Sequence, residues 1–230
     1  MKMKALASIA GSLIVAGALG CGTASAAPSA EQGCADLGGT VAADQTCHVH
    51  NETTTYTIDI SYPLDYPDPK AVSDFIASDR QDFLDWIPKF GEKGRNRPYL
   101  HDVSAKTYRS AQPATQSLVL DIDDDTGLAH EGHPGTSYKT FTFDLDKQAP
   151  VTLDTLFKPD AKPVDVLTPI VRRELHAPAI ELLPSDLDNF AVTDDAVIFF
   201  FGEGQVIPGE NNGPHQISVP RSELAPLMAG

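Results

Sequence analysis

The sequence predicts an α+β fold in which a largely antiparallel sheet packs against two amphipathic helices. Residues 138–145 alternate between two faces, one of which carries Phe141 and Phe143, and this period-2 pattern indicates a strand. Apolar residues recur with helical spacing over about 69–87 and again over about 165–176. Because the predicted strands and helices do not alternate regularly along the chain, an α+β arrangement is favoured over a parallel α/β one.

The first residues of the chain have the features of a secretory signal peptide. Two lysines precede an apolar run over 5–19, which is as long as a signal-peptide core and short for a membrane span. An Ala-x-Ala pattern predicts cleavage after Ala26, so residues 1–26 are predicted to be the leader of a secreted protein. Cys21 leaves a second interpretation open, in which it becomes the lipidated N-terminus of a lipoprotein.

The composition excludes some classes of function. The 230 residues contain 17 basic and 32 acidic side chains, which gives a formal net charge of −15. So acidic a chain repels nucleic acids and anionic lipids, and we predict no nucleic-acid partner. Beyond the leader we find neither a transmembrane segment nor a cofactor motif, and we predict no cofactor. Residues 51–230 are predicted to form a single domain of a monomeric protein.

Two cysteines remain after the leader. Cys34 and Cys47 flank a Gly-rich segment, and in an oxidising compartment they most simply form a disulfide that tethers an N-terminal arm over 27–50. This arm is small, polar and predicted to be loosely structured. The alternative is a metal site that uses both thiols together with His48 and His50. Their spacing matches no standard zinc pattern, so no metal site is predicted.

The elements before the central strand follow from local patterns. Residues 53–60 are rich in β-branched side chains and alternate, which predicts a first strand. A helix is predicted to begin at Pro69 and to end at Pro88. Asp79 occupies a position of its apolar face where a carboxylate is unexpected. We expect this side chain at the rim of the face, or paired with a neighbour such as Arg80.

Further strands and the second helix are predicted from the remaining patterns. Pro169 either starts the second helix or kinks it. The apolar run 198–201 is predicted to be a buried strand, and 202–214 a long loop. The other predicted strands cover 99–109, 116–122 and 216–219, with a hairpin formed by 190–193 and 196–201.

A family resemblance rests on the order and spacing of short segments. These segments are 34–50, 66–68, 133–134, 138–139, 152–157, 169–171, 189–193, 197–201 and 219–222. In this order they resemble the mycobacterial secreted immunogenic protein family, over nearly all of the chain after the leader. The region over about 130–229 also resembles the domain of unknown function at the end of RsiV-type anti-sigma factors.

The resemblance implies a secreted α+β protein with a helix across a sheet and a disulfide that joins Cys34 to Cys47. It implies no established reaction. Some relatives have been assigned esterase activity, others are known as secreted antigens that act on the host, and the RsiV-type domain binds lysozyme. The acidic segment 123–131 departs from the family's short Gly-rich turn, so partner binding through that turn is not carried over to this chain.

The catalytic hypothesis is a serine esterase. Such an enzyme needs a nucleophile, a base and an orienting acid. The residues that could supply them are Ser137, His133 and Asp125, although no Gly-x-Ser-x-Gly motif supports the assignment. Ser137 can equally be a residue at the start of a strand, and His133 a turn residue that bonds the backbone.

A binding function fits the sequence better than a catalytic one. The aspartates of 121–127 could hold calcium, but their spacing departs from an EF-hand and an acidic turn is the simpler interpretation. An exposed aromatic loop around Tyr62 and Tyr66 could contact a partner. We therefore predict a secreted binding or host-interaction protein, whose partner is an unknown protein or a small ester ligand. The alternative is a secreted carboxylesterase that acts on short- to medium-chain esters.

Overall fold

In the computed structural model, which describes residues 28–90, 97–126, 135–207 and 213–229, the chain forms two β-sheets. The strands are β1 (Thr40–Val41), β2 (Thr46–Glu52), β3 (Tyr56–Pro63), β4 (Tyr99–Ala111), β5 (Ala114–Asp125), β6 (Gly135–Asp144), β7 (Ala149–Pro150), β8 (Phe190–Val192), β9 (Ala196–Phe201) and β10 (His215–Pro220). The larger sheet has seven strands, β1 to β7 in chain order, and the smaller sheet has three, in the order β10-β9-β8.

Helices pack on the outer sides of both sheets. They are α1 (Pro28–Asp36), α2 (Pro69–Phe90), α3 (Leu153–Leu156), α4 (Pro163–Glu174) and α5 (Arg221–Leu224), with a 3-10 helix at Pro184–Leu187. α2 packs on one face of the larger sheet, the smaller sheet packs on the opposite face, and α4 covers the outer side of the smaller sheet. Among the described helices, none combines the length and the apolar character that crossing a bilayer requires.

The predicted α+β fold class is confirmed. Among the described strands, neighbours in the larger sheet are antiparallel except for β3 and β4, which are parallel. α2 lies between these two strands in the chain and forms the crossover that a parallel pair needs. The division of the strands into two sheets is not predicted by the sequence patterns.

α2 forms where the sequence predicts a helix and buries the predicted face. Val72, Ile76 and Phe83 are almost fully buried against the larger sheet. The helix continues to Phe90, beyond the predicted end at Pro88. Since the fixed φ of proline matches helical backbone, Pro88 removes one hydrogen bond near the end without stopping the helix.

The N-terminal segment is joined to the larger sheet through a disulfide. Cys34 in α1 and Cys47 in β2 form an S–S bond of 2.01 Å, which confirms the predicted pairing. Both thiols are therefore used, so the alternative metal site with His48 and His50 has no thiolate ligand. Gly39 lies so close that a Cβ there would stand 2.8 Å from either sulfur. The predicted loose arm instead contains α1, and its strand β2 pairs with β3. The boundary between the arm and the domain stays a prediction.

The smaller sheet is built on the predicted hairpin. β8 and β9 pair around the predicted turn, and β10 pairs with the other edge of β9. Phe199 and Phe201 of β9 share a buried cluster with Leu167 of α4. α4 begins at Pro163, slightly before its predicted start, and contains Pro169 as an interior residue.

The edge of β8 binds the larger sheet through side-chain hydroxyls. The backbone N–H of Val192 donates to Ser117 Oγ at 3.1 Å, and that of Phe190 donates to Thr140 Oγ1 at 3.0 Å. Thr142 Oγ1 donates to the carbonyl oxygen of Phe190 at 3.1 Å and lies 2.9 Å from Ser117 Oγ. An edge strand ordinarily presents such backbone groups to water or to another strand. Here hydroxyls of β5 and β6 take the place of a neighbouring strand, and we call these three side chains the hydroxyl seam.

Removal of one hydroxyl from the hydroxyl seam should destabilise the protein. Ser117 is 0% exposed, so Ser117→Ala leaves the buried N–H of Val192 without its acceptor. We expect the free energy of unfolding to fall by about 1–3 kcal/mol, measured by urea denaturation with the disulfide intact. Ser222→Ala, at an exposed position of α5, is the control and should change it by less than about 0.5 kcal/mol. Equal stability of Ser117→Ala and the wild type would contradict the role of the seam.

Candidate functional site

A cleft of about 400 Å³ opens where the smaller sheet leaves the face of the larger one. β4, β5 and β6 form its floor, and β9 and β10 form one wall. Its volume falls within the range of small-molecule sites in proteins. We call it the inter-sheet cleft, and the side chains that give it its chemistry are Ser104, Lys106, Tyr108, Asp121, Tyr138 and Phe200.

Aromatic rings form the apolar part of the inter-sheet cleft. The ring centroid of Phe200 lies 5.9 Å from that of Tyr108 and 5.4 Å from that of Tyr138. The planes are inclined by 60° and 54°, so the rings pack at an angle rather than stacked face to face. Burial raises the pKa of Tyr138 to about 12, with smaller contributions from nearby carboxylates and from Tyr108.

Asp121 and Lys106 supply the charged groups of the cleft. One carboxylate oxygen of Asp121, Oδ1, is buried and has no hydrogen-bond partner among the described residues. Burial raises the pKa of Asp121, and the negative charges of Asp123 and Asp102 raise it further. The ammonium group of Lys106 lies 4.9 Å from the ring centroid of Tyr108. The cleft therefore combines an unsatisfied acceptor with aromatic walls.

A row of aspartates continues along the same face of the larger sheet. Asp59, Asp102 and Asp123 lie directly opposite one another on β3, β4 and β5, and we call them the acidic row. Like charges in such positions destabilise a sheet. Thr136 Oγ1 donates to Asp123 at 2.6 Å, and His50 Nδ1 lies 2.6 Å from Asp59, a hydrogen bond that raises the pKa of His50. Within the described ranges, no group of three or more acids, histidines or cysteines is arranged to hold a metal ion.

His101 is buried beneath α2 between two carboxylates. It is 1% exposed, its ring stacks on that of Phe83 at a centroid distance of 5.0 Å, and its Nδ1 lies 2.8 Å from Asp124 Oδ1. Its Nε2 faces Asp79 Oδ2 at 3.7 Å, and neither atom has a hydrogen-bond partner among the described residues. Asp79 was expected at the rim of the helix face or beside Arg80. It is instead partly buried and faces the imidazole.

The described residues do not bring the predicted catalytic residues together. Ser137 is exposed on β6, on the side of the sheet that carries α2. Asp125 ends β5, and strand alternation directs its side chain to the opposite face. His133 lies outside the described residues. The buried His101 directs its Nε2 at Asp79 rather than at a hydroxyl group. The catalytic triad therefore stays an untested prediction.

The predicted aromatic loop is buried. Tyr62 and Tyr66 are 3% and 4% exposed, so the prediction that they contact a partner from an exposed loop is wrong. The ring of Tyr66 packs against those of Phe141 and Phe143, because the loop folds over the core beneath α2. The phenylalanines of 198–201 are buried, as predicted.

Aspartates inside a strand were the signal that sequence analysis missed. Residues 121–125 belong to β5 rather than to a turn or a calcium loop. Alternation sends Asp121 and Asp123 to the side of the inter-sheet cleft and Asp124 to His101. Because aspartate is depleted in strands, this run could have marked the region as functional. The other walls of the cleft come from distant parts of the chain.

A second pocket, of about 600 Å³, lies between α3 and the start of α4. Its lining is mostly apolar and includes Leu153, Phe157 and Val164, with Lys162 among its polar residues. None of the described residues that line it has a buried polar side-chain atom that lacks a hydrogen-bond partner. This pocket therefore gives less indication of a specific ligand than the inter-sheet cleft does.

Relatives of the protein match nearly its whole length. "Esterase Rv3036c" of Mycobacterium tuberculosis (strain ATCC 25618 / H37Rv) is 41% identical over 212 residues, which cover 87% of this chain and 91% of that protein. "Immunogenic protein MPB64" of Mycobacterium bovis and "Immunogenic protein MPT64" of M. tuberculosis are each 38% identical over 219 residues, or 90% of this chain and 92% of theirs. The chain belongs to the MPB64/MPT64 family. The predicted resemblance to mycobacterial immunogenic proteins is confirmed.

The C-terminal region and the fold agree with membership of the MPB64/MPT64 family. A family model described as "Protein of unknown function (DUF3298)" matches residues 154–222. A DUF3298 family protein from Pseudomonas aeruginosa PAO1 is 11% identical with a TM-score of 0.55, covering 80% of this chain and 94% of that one. A member from Bacteroides fragilis NCTC 9343 is 14% identical with a TM-score of 0.50, covering 82% and 94%. At such low identities the likeness shows a shared fold alone.

The partly buried position of Asp79 should make stability depend on pH. Burial raises the pKa of Asp79 above its ordinary value of 3.8, with smaller opposing and reinforcing contributions from His101, Asp124 and Asp82. The folded protein therefore binds this proton more tightly than the unfolded chain does. The resulting stabilisation is present below pH 3.8 and is lost as the pH rises through the raised pKa.

We expect the wild type to lose stability relative to Asp79→Asn as the pH rises above the ordinary aspartate pKa, because only the wild type acquires a partly buried charge at this position. The free energy of unfolding of both proteins is measured by urea denaturation at a series of pH values. Asp74→Asn, at an exposed position of the same helix, is the control. A difference between wild type and Asp79→Asn that does not change with pH would contradict the prediction.

Proposed function

We propose that this member of the MPB64/MPT64 family is an exported binding protein and that the inter-sheet cleft is its binding site. The observation that carries the proposal is the carboxylate of Asp121, which lines an aromatic cleft and has one buried oxygen without a hydrogen-bond donor among the described residues. Buried polar atoms in folded proteins are nearly always hydrogen-bonded. Because Asp121 is one of the residues that line the cleft, a ligand bound there can supply the donor that this side chain lacks.

Hydrogen bonds on both sides of Tyr138 hold the smaller sheet against the larger one, which supports a cleft that is formed before a ligand binds. On one side, the hydroxyl seam holds β8 to the larger sheet. On the other side, the N–H of Glu203 donates to the carbonyl oxygen of Thr136 at 2.8 Å, and a Cβ at Gly202 would stand 3.1 Å from that same oxygen. A site that is already formed loses less conformational entropy when a ligand binds.

The extracellular location is part of the same proposal. Residues 1–26 have the features of a leader that is cleaved after Ala26. The disulfide between Cys34 and Cys47 suits an oxidising compartment, where such bonds persist. The name "immunogenic protein", which relatives carry, fits a protein that meets a host.

Binding in the inter-sheet cleft can be tested by NMR with a library of small fragments. Fragments that bind should shift the backbone amide signals of Ser104, Val119 and Tyr138, which line or border the cleft. Tyr108→Ala removes one aromatic wall and should weaken their binding by about tenfold.

Lys162→Ala, in the second pocket, is the matched control and should leave these affinities unchanged. The proposal fails if no fragment shifts signals of the cleft, or if the shifted signals cluster around the second pocket instead.

Ester hydrolysis is a second candidate function, because a relative that is 41% identical carries the name esterase. The exposed position of Ser137 would allow a substrate to reach its hydroxyl group. Against this, the described residues place no imidazole beside Ser137, and the acid predicted with it points to the other face of the sheet.

Hydrolysis of p-nitrophenyl esters of graded chain length separates the two functions. Under the binding proposal, the wild type and Ser137→Ala hydrolyse these esters at the same rate, and a serine-reactive inhibitor changes neither rate. Hydrolysis that is inhibitor-sensitive in the wild type and lost in Ser137→Ala would assign the esterase function instead. Circular dichroism of both proteins confirms that the comparison is between folded molecules.

A further inference from the structure

We propose that the inter-sheet cleft recognises a guanidinium group, such as that of an arginine side chain, between its aromatic rings and the carboxylate of Asp121. This inference rests on the proposed binding function and specifies the chemistry of the ligand. It follows from the aromatic lining of the cleft, from the incompletely bonded carboxylate of Asp121 and from the charges next to the cleft.

The aromatic rings suit a planar cation. Tyr108 and Tyr138 line the cleft around the buried ring of Phe200, and the faces of aromatic rings carry negative potential. A guanidinium group is planar, weakly hydrated and stacks on aromatic faces. The ammonium group of Lys106, 4.9 Å from the ring centroid of Tyr108, shows that a cation is already accommodated against one of these rings.

The carboxylate of Asp121 supplies the directional contact. Its buried Oδ1 lacks a hydrogen-bond donor among the described residues, and a guanidinium group carries several N–H donors in one plane. Carboxylate and guanidinium groups form paired, charge-assisted hydrogen bonds that are stronger than neutral ones. A neutral ligand could also donate to this carboxylate, but it would bring no positive charge to balance it.

The charges next to the cleft favour a cation over an anion. Asp121 lies on the same strand and the same face as Asp123, and Asp123 lies opposite Asp102 of the acidic row. Burial raises the pKa of Asp121 and of Asp102, and repulsion from neighbouring carboxylates raises both further. A bound cation relieves this repulsion. An anion would meet one ammonium group, that of Lys106, against several carboxylates.

A pair of probes with the same shape and different charge tests the inference. Nα-acetyl-L-arginine amide carries the guanidinium group, and Nα-acetyl-L-citrulline amide replaces it with a neutral urea. Each is titrated into the oxidised protein at neutral pH, and the amide signals of the cleft are followed by NMR. We expect the arginine probe to bind about tenfold more tightly than the citrulline probe, and its affinity to fall as salt is added.

Two variants assign the preference to the cleft. Asp121→Asn keeps the shape of the side chain and should abolish the preference for arginine over citrulline. Lys106→Gln removes the cation that already lies against Tyr108 and should strengthen binding of the arginine probe. An anion-binding cleft would respond in the opposite direction, because Lys106 would then be its main attractive group. Weaker binding of the arginine probe in Asp121→Asn and stronger binding in Lys106→Gln cannot both arise from partial unfolding.

The outcomes separate this inference from the broader binding function. Equal binding of the two probes, an unchanged preference in Asp121→Asn, or weaker binding in Lys106→Gln would each overturn guanidinium recognition. If fragments of other chemistry still shift the signals of the cleft, the binding function survives that result. Absence of any shift in the cleft with the arginine probe and with the fragment library would overturn both.

Discussion

The attachment of the smaller sheet through the hydroxyl seam is the interaction on which the rest of the structure depends. β8 is an edge strand whose outward backbone groups are buried, and buried backbone groups need partners. Ser117, Thr140 and Thr142 provide them from the face of the larger sheet. Because side chains rather than a paired strand make this junction, the two sheets can separate just beyond it. Phe200 and Tyr138 border the space that results.

Local patterns were sufficient for most elements but not for their division into two sheets. The apolar spacing of α2, the alternation of β6 and the turn of the β8–β9 hairpin each act over a few residues. Thr140 and Thr142 alternate with Phe141 as they would in a strand with one face in water. Hydroxyls that bind the backbone of another layer look the same in a sequence as hydroxyls that bind water. Only the packing of β8, from a distant part of the chain, distinguishes the two cases.

The candidate site was harder to predict because its residues are far apart in the chain. Ser137 and His133 were interpreted as catalytic because they are close in sequence. The residues that line the inter-sheet cleft come from five separate strands. Asp79 was recognised as unusual from the helical spacing of α2. Its partner His101 could not be found in the same way, because the contact depends on how the crossover helix lies over β4. The aspartates inside β5 are the feature of the candidate site that is most readily recognised from the sequence alone.

The parallel pairing of β3 with β4 also has a consequence for the order of assembly. β4, β5 and β6 follow one another in the chain and pair as neighbours, so their contacts close short loops. β3 pairs with β4 only across α2, so this pairing closes a longer loop. We therefore expect residues 28–63 to join the larger sheet after β4, β5 and β6 have paired. Cys34 and Cys47 are separated by 13 positions within this segment, so in an oxidising compartment their bond can keep α1 beside β2 before the segment joins the sheet.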